Sequence, residues 1–311
     1  MKWKSLIILI IGFLTMGTMV KMAIAAPSQE LSHDVVLAQR LQKELGINIK
    51  PEEVAIAKKI TAKDLKMIDY LQSQGVKAPK EKLLKLITTI KVANLIAEKT
   101  DGNPLAVFKY FSILGNKVQI EHPVGITKRQ SVLHANNILN KNSIVPLSGD
   151  YADLHLDMWV GHIYQDDPDI PYYIIVHNAY WWRETEASTY EGSDDVLYFI
   201  WDEAGDLVLF NDKYPFKIRR ADSALGAIAY YAPDDLNSGY VYLYLLPKTP
   251  DVSGRYTRVS MNYVHTYGIG GSLSVTVGYK YVSVTYSPKI GGKWKKSTYV
   301  TFKIDPWGEL K

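Results

Sequence analysis

Cysteine is absent from all 311 residues. That absence excludes a disulfide scaffold, Cys-ligated zinc, iron–sulfur clusters, a thiol nucleophile and covalently attached c-type haem. The signatures of several common catalysts are missing as well. There is no G-x-S-x-G elbow, no H-E-x-x-H helix, no S-x-x-K with its partners and no Walker loop. Gly268-Ile269-Gly270-Gly271 lacks the completion of a dinucleotide fingerprint and sits between strands. Only one stretch, near the N-terminus, is apolar enough to enter a bilayer, which excludes a polytopic membrane protein. At 47% hydrophobic and 22% charged residues, wholesale disorder is excluded too. Glycosidase carboxylates meet in space rather than in sequence, so a secreted hydrolase with an unmarked carboxylate site stays open.

What is present divides the chain. Residues 1–25 read as a secretory signal peptide. Lys2 and Lys4 precede an apolar run from Ser5 to Val20, and Ala23-Ile24-Ala25 places cleavage before Ala26. The run of 16 is shorter than the ~20 residues of a spanning helix. The expected location is therefore secreted or extracytoplasmic, with an uncleaved N-terminal anchor as the alternative.

Residues 26–115 read as helices. Leu37, Leu41 and Leu45 keep i, i+4 spacing before Gly46, and Pro51 opens the next helix with Glu52 and Glu53 in its first turn. Thr61-x-x-Asp64 is a capping-box start, and Gly75 is a stop. Pro79 to Lys99 carries apolar residues nearly all round one side, and Asn103-Pro104 begins a last short helix. Residues 116–145 read as a linker with one strand near Lys117 to Ile120. From there to residue 311, runs of Tyr, Val, Ile and Leu alternate with Asp-, Pro- and Gly-rich turns, and no helical period interrupts them. Twenty of the 22 tyrosines lie in this part, where strand propensity and packing account for them. The expected fold is α+β in separate domains: a small N-terminal helical bundle, then an antiparallel β-sandwich over 146–311, jelly-roll-like or Greek key.

Charge divides at the same place. Residues 26–145 carry 18 Lys/Arg against 11 Asp/Glu, and residues 146–311 carry 15 against 21. The overall pI near 8.8 hides an acidic β half, which argues against a nucleic-acid face there.

Four groups of residues could carry chemistry. Asp153, His155 and Asp157 occupy one face of a strand, with Leu154, Leu156 and Met158 on the core side. Two carboxylates flanking an imidazole can bind a ligand, a metal or a shared proton. Asp166, Asp167 and Asp169 cluster in one turn, the preferred site for calcium, which takes oxygens from such turns; the competing reading is that Asp is simply a good turn residue. Trp181 and Trp182, followed by Arg183, must point to opposite sides of a regular strand. One of them therefore faces away from the core and can serve as a ligand platform. Finally, Ser272 to Ser287 alternates Ser/Thr with apolar residues on both arms of a hairpin. That pattern resembles the membrane-inserting segment of small β-pore toxins, although arms of seven or eight residues are shorter than the ~9–11 of a spanning strand.

These readings converge on an exported, noncatalytic recognition or cell-surface protein whose β part is the binding module. Its expected partners are a polysaccharide, a cell surface or a second copy of itself. A membrane-active hairpin protein is the alternative.

Overall fold

The computed structural model describes residues 32–122, 153–182, 194–203, 205–234, 236–249 and 254–304. The signal-peptide segment, most of the expected linker and Arg183 lie outside these residues. Five helices come first: α1 (His33–Leu45), α2 (Pro51–Lys58), α3 (Ala62–Ser73), α4 (Lys80–Lys99) and α5 (Pro104–Ile113). Their ends are set locally, as the sequence indicates. Ser32 caps α1, and Gly46 closes it in the left-handed conformation. Asp64 Oδ2 accepts from Thr61 N at 2.7 Å, and Asn103 Oδ1 accepts from Leu105 N at 3.0 Å ahead of Pro104. Among the described residues no helix is long and apolar enough to cross a membrane.

Ten strands follow: β1 (Lys117–Glu121), β2 (Leu154–Tyr164), β3 (Tyr172–Trp182), β4 (Asp195–Trp201), β5 (Leu207–Lys213), β6 (Arg219–Ala224), β7 (Ala227–Ala232), β8 (Ser238–Pro247), β9 (Tyr256–Gly278) and β10 (Tyr281–Lys303). They build two five-stranded antiparallel sheets, ordered β1-β2-β3-β8-β5 and β10-β9-β4-β7-β6. The facing sides share one core, in which Leu156, Val176, Tyr180 and Leu243 of the first sheet meet Phe199, Tyr230, Met261 and Phe302 of the second. The architecture is thus mixed α and β, with sandwich-like sheets.

The helices pack on one another and share their buried cluster with the first sheet. The cluster that holds Leu41, Ile90, Ile96 and Phe108 also holds Tyr173, Ile175, Phe210, Tyr242 and Tyr244 from the far face of the first sheet. The continuous apolar run through Tyr172–Val176 has this cause, since both faces of β3 are covered. Alternate tyrosines of β8 fasten the helical layer with their hydroxyls. Tyr242 Oη donates to Gly102 O at 2.8 Å, and Tyr244 Oη donates to Asn94 Oδ1 at 2.8 Å. A buried phenol needs such a partner, and these supply it at the same time as they bury a ring.

Two strand assignments also differ from expectation. β6 is too charged to read as a strand, but it is an edge strand with exposed arginines pairing only with β7. β9 and β10 are each 23 residues long and run through the Gly-rich segments around 268–271 and 291–292.

The distal part of this β9–β10 hairpin turns back on the molecule. β9 pairs with β4 from Val259↔Trp201 to Val264↔Val196, so it leaves the sheet at the end where β4 begins. The hairpin tip, however, donates Lys280 N to Leu225 O at 3.1 Å, and Leu225 is in the β6–β7 turn at the opposite end. The distal arms therefore run back along the outer face of the second sheet. Leu273, Val275, Val277, Val282 and Val284 rest there on Val196, Tyr198, Ala229 and Val264.

Candidate binding cleft

A cleft of about 620 Å³ opens where the α4–α5 turn meets β2, β3, the β5–β6 loop and the start of β8. That volume lies within the ~300–1,000 Å³ range of small-ligand sites. Strand alternation aims five residues of two neighbouring strands into it. Asp157 and Trp159 of β2 stand opposite Ala179 and His177 of β3, and Trp181 follows at the strand's end. The same alternation sends Leu156, Met158 and Val160 into the sandwich core.

The walls are aromatic. Trp181 is 41% exposed, and Phe216 on the β5–β6 loop is 93% exposed. His155 stacks on Trp181, with ring centroids 5.2 Å apart, and stiffens it. Trp159 is held more firmly. His122 stacks on it at 3.9 Å, and its indole Nε1 donates to Asp157 Oδ2 at 2.7 Å. His122 Nε2 donates to the other oxygen, Asp157 Oδ1, at 2.8 Å. Asp157 thus has both oxygens engaged in positioning two rings, so the two cleft carboxylates, Asp101 and Asp157, do not form a free pair of the kind a glycosidase needs.

His177 forms part of the floor. It is 3% exposed and lies against the backbone of Gly102. Burial pushes its pKa down to about 4, against the charge of Asp157 and a hydrogen bond to the Gly102 backbone. The imidazole is therefore neutral at ordinary pH. Tyr240 closes one side, and burial, then the charges of Asp101 and Glu98, push its hydroxyl up to about 12.

Glycines shape the space. Gly102 has φ +75°, and a Cβ there would lie 2.3 Å from the Tyr240 ring. Only glycine allows the α4–α5 turn to approach β8 this closely. The cleft thus offers ring faces, a neutral buried imidazole and a few charges at its margin, an arrangement suited to holding a ligand.

The expected site residues are placed as follows. Asp157 lies in the cleft, His155 stacks beside it on Trp181, and Asp153 immediately precedes β2. Trp181 faces outward. Trp182 does not serve as a second platform: it is 8% exposed and packs on Tyr263, His265 and Trp294. Arg183 lies outside the described residues. Asp166, Asp167 and Asp169 lie together between β2 and β3. Asp167 Oδ2 takes Lys82 Nζ at 2.8 Å, and Oδ1 takes the backbone N of Asp169 at 3.1 Å. The Lys82 bond holds the Asp167 carboxyl below its usual range.

Among the described residues, the one grouping of three acidic or imidazole donors is Asp195, Asp234 and His265, with ligand atoms within 4.8 Å of one another. Sequence reading passed it over because Asp195 resembles a turn residue at a strand's start. Its carboxylate is already occupied. It accepts from Tyr263 Oη at 2.5 Å, from Thr266 N at 2.8 Å and from His265 Nδ1 at 3.1 Å. Burial raises its pKa against these bonds. It ties down the root of the folded-back hairpin. Phe216, His122, His177 and the Asp101–Leu105 turn were also missed, since only the packing of helices on the first sheet brings them to β2 and β3.

No family model matches the chain, and no curated protein matches it. One solved structure, concerned with pH-induced modulation of Streptococcus parasanguinis adhesion by Fap1 fimbriae, is 10% identical, with a TM-score of 0.27 over 63% of this chain and 94% of that one. A DUF4466 family protein from Parabacteroides merdae is 8% identical, with a TM-score of 0.23 over 44% of each chain. Similarities this slight assign neither fold nor function.

Proposed function

We propose that this is an exported, noncatalytic recognition protein that takes a glycan in the cleft between the helical layer and the first sheet. The observation that carries the reading is the pairing of two exposed rings, Trp181 and Phe216, on the walls of one 620 Å³ cleft with Asp101 and Lys217 beside them. Aromatic faces cover the apolar side of a sugar ring, and charged or imidazole groups take its hydroxyls. Both the stacked His155 and the locked Trp159 reduce the ordering cost of binding, because the rings are already fixed. Export rests on the N-terminal signature of residues 1–25. The reading is tested by probing a glycan array with the mature chain and with Trp181→Ala. Signal for a defined set of glycans that is lost in the variant supports it. An array on which the mature chain gives no signal, or the same signals as the variant, refutes it.

A further inference from the structure

The distal hairpin has a composition that its place in the fold does not require. In the observed register, Leu273, Val275 and Val277 stand opposite Tyr286, Val284 and Val282, so all six form one apolar face. Ser272, Ser274 and Thr276 stand opposite Ser287, Thr285 and Ser283, so the other face is six hydroxyls without a charge. Solvated surfaces ordinarily mix in charged residues, and this one has none. At the tip, Tyr279 and Tyr281 are exposed on either side of Lys280.

The storage of this hairpin is equally specific. Glycine or proline occupies positions 268, 270 and 271 on β9 and positions 288, 291 and 292 on β10. Gly268 stands opposite Gly291, and Gly271 opposite Pro288, so both arms are weakened at the same level. This is where the hairpin turns back. A Cβ on Gly271 would lie 2.6 Å from the Tyr286 ring and 3.0 Å from the Pro288 Cα. Five half-buried apolar residues of the arms meet a cluster of four buried ones flanked by Ile200, Ala221 and Tyr231; Lys293 Nζ donates to Val284 O, and the tip adds the Lys280–Leu225 backbone bond.

Arm length also fits a bilayer once the true strands are known. From the bend to the tip, Gly270–Gly278 and Tyr281–Ile290 are about nine and ten residues, with the one charge, Lys289, exposed next to the bend, against ~9–11 for a tilted spanning strand. The sheet is antiparallel with period-two polarity and aromatic residues at its end, as in membrane β-strands.

We infer that the distal hairpin is a bilayer-inserting element, stored against the second sheet and released by unbending at the paired glycine level. Hydrocarbon takes the valine face, and the hydroxyl face lines water. A lone hairpin leaves its edges unpaired in lipid, so hairpins from several copies must join and close. The sandwich contact and the bilayer compete for the same face, so the device is silent while stored.

The absence of native cysteine makes the test clean. The mature chain is mixed with phosphatidylcholine–phosphatidylglycerol vesicles loaded with a self-quenching dye. Leu225→Cys combined with Lys280→Cys places a thiol pair where the tip bonds the β6–β7 turn. Dye release by the wild-type chain, loss of release in the oxidised double variant and recovery on reduction are the expected results. No release by the wild type, or undiminished release by the oxidised variant, overturns the proposal. Single variants Val275→Cys and Thr276→Cys, each carrying an environment-sensitive fluorophore, give a second reading that needs no cross-link. On vesicles the label at 275 is expected to be quenched by nitroxide lipids and the label at 276 is not. Equal quenching at both, or none at either, also overturns it.

Discussion

Removing the helical layer should unfold the β part. Ten side chains of that part, Ile163, Ile170, Tyr173, Ile175, Val208, Phe210, Tyr240, Tyr242, Tyr244 and Leu246, are buried only in the cluster shared with the helices. At ~1.5–3 kcal/mol for each buried side chain, their burial contributes roughly 15–30 kcal/mol. A reduction of up to ~40% for a compact unfolded chain still leaves about 9–18 kcal/mol. That equals or exceeds the ~5–15 kcal/mol net stability of a whole domain. A fragment of residues 146–311 must still order every residue it contains, but it loses this contribution. It should therefore give a collapsed amide spectrum and elute as aggregate, while the mature chain gives dispersed resonances and a monomeric or defined oligomeric peak. A dispersed spectrum from the fragment, with no added helical segment, would refute the shared core.

Two further outcomes follow from the cleft. His177 is neutral in the folded state down to about pH 4, while the unfolded chain takes up the proton near pH ~6.5. Stability is therefore full above pH ~6.5 and falls as the pH drops toward 4, by about 3 kcal/mol from this group. Denaturant titrations across that range should show the loss in the wild-type chain and a correspondingly flatter profile in His177→Phe; parallel profiles would exclude the buried neutral imidazole. Gly102→Ala forces a side chain into a positive-φ position against the Tyr240 ring. It should cost about 2 kcal/mol or more, and an unchanged melting temperature would show that the turn is not so tight.

Much of the local structure was legible because its causes are local. Thr61 with Asp64 and Asn103 with Pro104 name their helix starts through hydrogen bonds spanning two or three residues. Leu154 to Val160 alternates with its polar neighbours because one side of β2 meets the second sheet. The alternation also set Trp181 and Trp182 on opposite sides. It could not say which side faced out, because helices cover part of one sheet face and the second sheet covers the other. The continuous run at Tyr172–Val176 is the visible sign of that double coverage. The bend of β9 and β10 looked like a break, because glycine ends strands as readily as it folds them. The cleft itself joins residues as far apart as Asp101, Asp157 and Phe216, a juxtaposition set by tertiary packing alone.

The central claim is that the Trp181 cleft binds a glycan. It is tested most directly by calorimetric titration of the mature chain and of Trp181→Ala with the strongest glycan from the array, alongside their melting curves. Truncating a ring at a binding hot spot costs at least ~2 kcal/mol, so the variant should bind about thirtyfold more weakly. Its melting temperature should be nearly unchanged, because the ring is 41% exposed and lies off the sandwich core. Undiminished affinity in Trp181→Ala would contradict the claim, and so would a loss of affinity that is matched by a collapse in stability.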